Sequence, residues 1–198
     1  MGFDIILPTI GRPSLSVAIQ SVLAQEYQDF KLYVIRDRWD GEDGIPWEDP
    51  RVITFGVEGG ENDYGAFARN AGIRVPSLGP DAKVNDWIAY IDDDDQWLPH
   101  HLTVLSAYVA MGATMVRTAG QSFKMSRRSP RSSERRQKMG PVNYTDILTV
   151  GMAHTRELYN KTRGWQPCDN HDHILWSDML AMGGIPRVSE AVTFLFER

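Results

Sequence analysis

Two periods of hydrophobic and polar positions run through the chain. Short apolar runs at Phe3–Leu7, Lys31–Ile35, Val52–Phe55 and Trp87–Ile91 have strand-like lengths. Polar or breaking residues stop them: Pro8 after the first, Arg36-Asp37 after the second and Asp92 after the fourth. Between the runs the period lengthens. Leu15, Ala18, Ile19, Val22 and Leu23 fall on one helical face behind Pro13-Ser14, which opens the helix. A second helix is predicted behind Gly65, carrying Ala66, Phe67, Asn70, Ala71 and Ile73, and a third over Leu98–Met111. Gly- and Pro-containing stretches at Asp40–Pro50 and Pro76–Asp86 read as loops, and Ala113–Thr118 as a further strand.

Strands alternating with helices predict an α/β fold: a mainly parallel sheet sandwiched by helices, in a single domain. Ligands of such sheets collect beyond the carboxyl ends of the strands. Pro8-Thr9, Arg36-Asp37 and Asp92–Asp95 should therefore meet on one edge. The last third is less regular. Thr155–Lys161 reads as a short helix, and Ile174–Met182 as another, stopped by Gly183-Gly184. Val192–Phe196 reads as a closing strand. No internal repeat is present.

At 198 residues and 42% hydrophobic content the chain can bury a real core. No apolar stretch approaches the ~20 residues that span a bilayer, and Met1–Asp4 shows no basic leader. The single cysteine, Cys168, cannot form an internal disulfide, so a reducing, cytoplasmic setting is expected. The net charge of −5 is unevenly spread. Of 21 basic and 26 acidic residues, eight and one respectively fall within Arg117–Lys138, leaving 13 and 25 elsewhere. That segment reads as a basic, Ser-rich loop. Either it holds an anionic partner through residues such as Arg127, Arg128 and Arg131, or it is simply solvated.

The run Asp92-Asp93-Asp94-Asp95 directly follows the most strand-like segment. Adjacent acids repel by roughly 1 kcal/mol per close pair even in water, and a divalent cation offsets that repulsion. Alternation along an extended backbone sends Asp92 and Asp94 to one side and Asp93 and Asp95 to the other.

Together these pieces resemble a known family, the family 2 glycosyltransferases of the GT-A fold. The resemblance rests on Ile5–Thr9 with Arg12, Ser21–Gln25, Asp29–Leu32, Val34–Asp37, Ala68–Ile73 and Ile91–Asp95 with Trp97-Leu98-Pro99, in the family's order and spacing. It covers residues 3–108 closely and 151–184 loosely. It implies a nucleotide-sugar-binding half over residues 1–111 and an acceptor and catalytic half over 112–198. The implied activity is inverting, metal-dependent transfer of a sugar from a nucleotide-diphosphate donor, a UDP- or GDP-sugar, to an acceptor hydroxyl.

The resemblance also implies roles. Asp94 is the expected ligand of Mn²⁺ or Mg²⁺, hard cations that prefer carboxylate oxygens, with Asp92 as second ligand. Asp92 and Asp93 are also expected to support the donor, and Asp95 to be structural. Pro8, Thr9 and Arg12 lie where the first loop wraps the nucleotide. Asp37 is placed to recognise the nucleobase, although a strand-ending Asp also suits a plain turn. Arg69 is placed to meet the diphosphate through its planar fork.

The family's base lies in a Glu-Asp pair after a Gly-Gly-Phe-like turn. Arg163-Gly164-Trp165 and His171-Asp172 occupy those positions, making Asp172 the candidate base, with His171 departing from the family's Glu. An Asp there also suits a helix cap. His154 or His173 is a candidate additional metal ligand. A dedicated zinc site is disfavoured, since the histidines lack i, i+4 spacing and cysteine partners. The alternatives are a nucleotidyltransferase, which would want more glycines in the loop at Pro8–Arg12, and a non-catalytic polyanion-binding module built on the basic loop.

Overall fold

The computed structural model describes residues 1–41, 45–46, 48–59, 63–75, 84–125, 137–143 and 147–197. The elements in chain order are β1 (Phe3–Thr9), α1 (Leu15–Leu23), β2 (Phe30–Asp37), β3 (Val52–Val57), α2 (Ala66–Arg74), β4 (Trp87–Tyr90), β5 (Gln96–Trp97) and α3 (His101–Ala110). They continue as β6 (Met115–Met125), β7 (Gln137–Asn143), β8 (Met152–Thr155), α4 (Arg156–Tyr159), α5 (His171–Ala181) and β9 (Pro186–Glu197). One sheet runs in the order β3-β2-β1-β4-β8-β6-β9-β5, with β7 paired to β6. β1 pairs in parallel with β2 and β4, and β2 in parallel with β3. The other half mixes antiparallel pairs with the parallel pair β6–β9.

The pleat of the central strands divides two cores. Phe3, Ile5 and Leu7 of β1, Leu32 and Val34 of β2, and Trp87 and Ala89 of β4 face one side, where they meet Leu15 and Ile19 of α1 and Leu102 and Leu105 of α3. Ile6, Tyr33, Ile35, Ile88 and Tyr90 face the other, against Ile73 of α2 and Leu175 and Met179 of α5. Burial on both faces is why these strands read as continuous apolar runs. Asp4 is also buried; Arg156 supplies its counter-charge and the Asn85 amide donates to it at 2.8 Å.

The sheet corrects the expectation of a loop over Arg117–Lys138. β6 continues to Met125 and β7 contains Lys138, so both ends of the segment are strand, pairing Gly120 with Asn143 and Lys124 with Lys138. The strand carries Ala119, Gly120, Gln121 and Ser122, and its hydrophobic cover comes from a partner. A Cβ on Gly120 would lie 2.2 Å from the Phe194 ring, so the absent side chain makes room for that ring. Arg127, Arg128 and Arg131 lie outside the described residues. The third helix starts at His101 instead of Leu98, because Gln96-Trp97 pairs with Leu195-Phe194 before the chain turns.

Candidate active site

The β1–β2 register sets Thr9 beside Arg36, and β4 lies on the other side of β1 with Ile6 beside Tyr90. The residues just past these strand ends therefore meet at one edge, as the alternating pattern requires. They line a cleft of about 500 Å³, within the range of small-ligand sites. Pro8, Thr9, Arg12, Asp37, Arg69, Asp92, Asp93 and Asp94 are all in its wall.

Burial alternates along the acid run: Asp93 and Asp95 are buried, Asp92 and Asp94 half-buried. A turn closes the run, with the Asp95 N–H donating to the Asp92 carbonyl at 3.1 Å. Each carboxylate has its own surroundings. Asp93 accepts from the Thr9 hydroxyl and from Arg12 Nη1, both at 2.6 Å, which ties the loop after β1 to the acid run. Asp92 is bound by Arg69 Nη2. Among the described residues Asp94 pairs with Arg12 at 3.3 Å, and it stays 36% exposed. Burial pushes the Asp94 carboxyl up; Arg12 opposes this, while Asp92 and Asp93 add to it. Arg12 itself is driven further toward its charged form, as the three aspartates outweigh the cost of its burial.

Arg69 is almost fully buried and anchored three ways. Its Nη1 donates to the Tyr64 carbonyl at 2.7 Å, its Nη2 holds Asp92, and its guanidinium lies 5.0 Å from the Trp165 ring centroid. Its Nε is buried without an acceptor among the described residues. Trp165 is fixed in turn by Asn70, whose amide brackets the Trp165 backbone N–H and carbonyl at 3.1 and 3.0 Å. Asp37 is buried at the end of β2, accepting from the Gly59 N–H at 2.9 Å beside Arg38 at 3.5 Å.

The candidate base is placed differently. Asp172 stands in the first turn of α5 and accepts from the His173 N–H at 2.8 Å, and it is not part of the cleft wall. His171, its neighbour, is. His173 is exposed and outside the wall. His154 is fully buried away from the cleft, with Nε2 2.7 Å from the Tyr90 hydroxyl and Nδ1 3.1 Å from the Thr155 carbonyl. Neither histidine is brought to the acids.

Several cleft residues escaped sequence reasoning. Asp63 caps α2, accepting from the Gly65 and Phe67 N–H groups at 2.9 and 3.1 Å; an Asp two residues before the Gly that opens a helix was the available signal. Arg38 and Tyr64 also line the cleft. They are the two non-glycine residues with left-handed φ among the described residues, at 51° and 54°. Such backbone costs of order 1 kcal/mol or more each and clusters at functional sites, but no residue type announces it.

Comparison with known proteins gives the family and the fold. The sequence profile of the family described as "Glycosyl transferase family 2" matches residues 4–182. The putative colanic acid biosynthesis glycosyl transferase WcaA of Escherichia coli strain K12 is 31% identical over 116 residues, which cover 53% of this chain and 37% of that protein. Among solved structures, S. aureus TarS superposes with a TM-score of 0.73 at 12% identity, covering all of this chain and 37% of TarS. The mannosyltransferase PcManGT from Pyrobaculum calidifontis, solved with GDP-Man and Mn²⁺, gives a TM-score of 0.67 at 15% identity over 99% of this chain and 56% of its own. The chain thus spans well under two thirds of the relatives it matches. With a profile match over nearly its whole length, the chain belongs to glycosyl transferase family 2.

Proposed function

We propose that this chain transfers a sugar from a nucleotide-diphosphate donor to an acceptor hydroxyl, with inversion at the anomeric carbon and with Mn²⁺ or Mg²⁺ at the acid run. The observation that carries this reading is the unequal state of the aspartates. Asp92 and Asp93 are held by arginines at hydrogen-bond distance, whereas Asp94, paired more loosely with Arg12 at 3.3 Å, lines the cleft half-exposed beside two further aspartates. The donor set suits a hard cation. Such a cation would complete its shell with phosphate oxygens and water. When bound, such a cation neutralises charge developing on the departing diphosphate.

The chain's own residues have separable tasks. Asp94, with Asp92, holds the cation. Pro8, Thr9 and Arg12 form a loop, pinned by Asp93, against the nucleotide. Asp37 at the end of β2 reads the base, and Arg69 directs its fork at the diphosphate. A base at the start of α5 takes the acceptor proton as the acceptor oxygen attacks the anomeric carbon. The halves at 1–111 and 112–198 then serve donor and acceptor. Among the described residues of the cleft wall, only His171 comes from the second half.

A UDP- or GDP-sugar is the donor class this reading favours. TarS has been solved with UDP-GlcNAc and PcManGT with GDP-Man. An anionic acceptor beside Arg127, Arg128 and Arg131 belongs to the same reading, and charge reversal there should weaken acceptor binding alone. The single cysteine supports a reducing, cytoplasmic setting.

The test is release of nucleoside diphosphate from UDP- and GDP-sugars, with Mn²⁺ or with EDTA. Release should depend on the cation and fall about 100-fold or more in Asp94→Ala. Equal turnover in EDTA would overturn the metal assignment.

A further inference from the structure

We propose that the neighbouring pair Asp37 and Arg38 selects guanine as the base of the donor nucleotide, which makes the donor a GDP-sugar; the inference deepens, and rests on, the reading of Asp37 as the residue that meets the base.

An ionised Asp side chain can only accept hydrogen bonds, and an Arg side chain can only donate them. Asp37 and Arg38 both line the cleft, with Arg38 Nε 3.5 Å from Asp37 Oδ1. Acceptor and donor thus stand side by side at the end of β2. The Gly59 N–H takes one acceptor site of Asp37 at 2.9 Å, and a carboxylate has about four. Arg38 turns Nε to Asp37, and among the described residues its Nη1 and Nη2 form no ion pair.

Guanine carries the matching order of groups. N1–H and the N2 amine are adjacent donors that suit a carboxylate, and O6 and N7 are the adjacent acceptors that an arginine fork meets bidentately. Uracil has a single N3–H between two carbonyl oxygens, so Asp37 would gain one bond and face a lone pair beside it. Adenine sets the N1 lone pair next to its amine, against a carboxylate. Of the three, guanine alone satisfies both residues in full.

The backbone at Arg38 is left-handed, with φ 51°, and its N–H donates to the Val57 carbonyl at 2.9 Å. Glycine takes such a conformation freely, whereas arginine is strained there. An arginine at that position points to a task for its side chain. Room for a two-ring base lies next to it. A second hollow of about 630 Å³ opens at the ends of β2 and β3, and Arg38 belongs to its wall as well as to that of the cleft. Gly56 lines this hollow, and a Cβ there would meet nothing within 4 Å.

Calorimetric titration of the chain with GDP, UDP and ADP, each with Mn²⁺, tests the proposal. GDP should bind at least about tenfold more tightly than either of the others. Inosine diphosphate, which lacks the N2 amine, and 7-deaza-GDP, which lacks N7, should each bind about tenfold more weakly than GDP. In Arg38→Gly, which suits the left-handed backbone and should melt no lower than wild type without nucleotide, the ratio of GDP to UDP affinity should fall about tenfold or more. There 7-deaza-GDP should bind as GDP does. UDP or ADP bound as tightly as GDP, or a GDP preference that survives Arg38→Gly, overturns the proposal and leaves the sugar-transfer reading standing. A wild-type chain that binds none of these nucleotides refutes the reading of the cleft as a donor site, and this proposal with it.

Discussion

Asp93 and Asp94 are neighbours with opposite duties. Asp93 is 2% exposed and holds Thr9 and Arg12, so its charge is compensated inside the fold. Replacing it with Ala leaves those donors without their acceptor and should cost about 2 kcal/mol in chemical unfolding. Asp94 carries a carboxyl whose ionised form the fold disfavours. A raised folded-state pKa means the folded protein binds more protons than the unfolded chain, so ionised Asp94 lowers stability at neutral pH. Asp94→Asn should therefore melt no lower than wild type without cation, as differential scanning calorimetry would show. Burial alternates along the acid run in the order an extended backbone predicts, although the run lies beyond β4 and is closed by a turn. That Asp93 pins the first loop was not legible in the sequence, because Arg12 reaches it across 81 residues of sequence.

At the scale of elements, the parallel half of the sheet could be read from the chain because β1, β2 and β4 are buried on both faces and are mainly apolar. The mixed half could be read only in part: Ala113–Thr118 and Val192–Phe196 read as strands, but the reach of β6 to Met125 and the strands β7 and β8 were not legible. β6 is held by pairing on both edges and covered by Phe194 from β9, so its own residues can be small, polar or basic. The short strand β8 hid beside the predicted helix at Thr155, whose hydroxyl caps α4 by accepting from the Leu158 N–H at 3.2 Å. One ion pair stitches the two halves together. Arg156 of α4 binds buried Asp4 of β1, and also donates to the Asn85 carbonyl at 3.2 Å and to the Ile73 carbonyl. Arg156→Met strips Asp4 of its counter-charge and should destabilise by about 3–5 kcal/mol, the usual cost of orphaning a buried charge. Urea unfolding measures it, and a loss under about 1 kcal/mol would show that Asp4 is held by Asn85 alone.

For the whole molecule, acid should loosen the fold through two histidines remote from the cleft. Burial lowers His101 to about 3 and His154 to about 4. Both folded-state values lie below the ~6.5 of an unfolded His, so the unfolded chain takes up protons first. Stability is then full above about pH 6.5 and declines as the pH falls, by about 2 kcal/mol per histidine at pH 5. Denaturation midpoints at pH 7 and pH 5 check this. The cleft is built on the same sheet, with its acids at the ends of the strands that those cores support. The central claim is that this edge binds a nucleoside diphosphate through a cation at Asp94. Its most direct test is the melting temperature with UDP or GDP, with and without Mn²⁺, in wild type and Asp94→Ala. A ligand at 100 times its Kd stabilises the native state by about 2.7 kcal/mol. Melting should rise by several degrees with one nucleotide, a rise that requires Mn²⁺ and vanishes in Asp94→Ala. An equal rise without Mn²⁺, or in the variant, or no rise with either nucleotide, would contradict it.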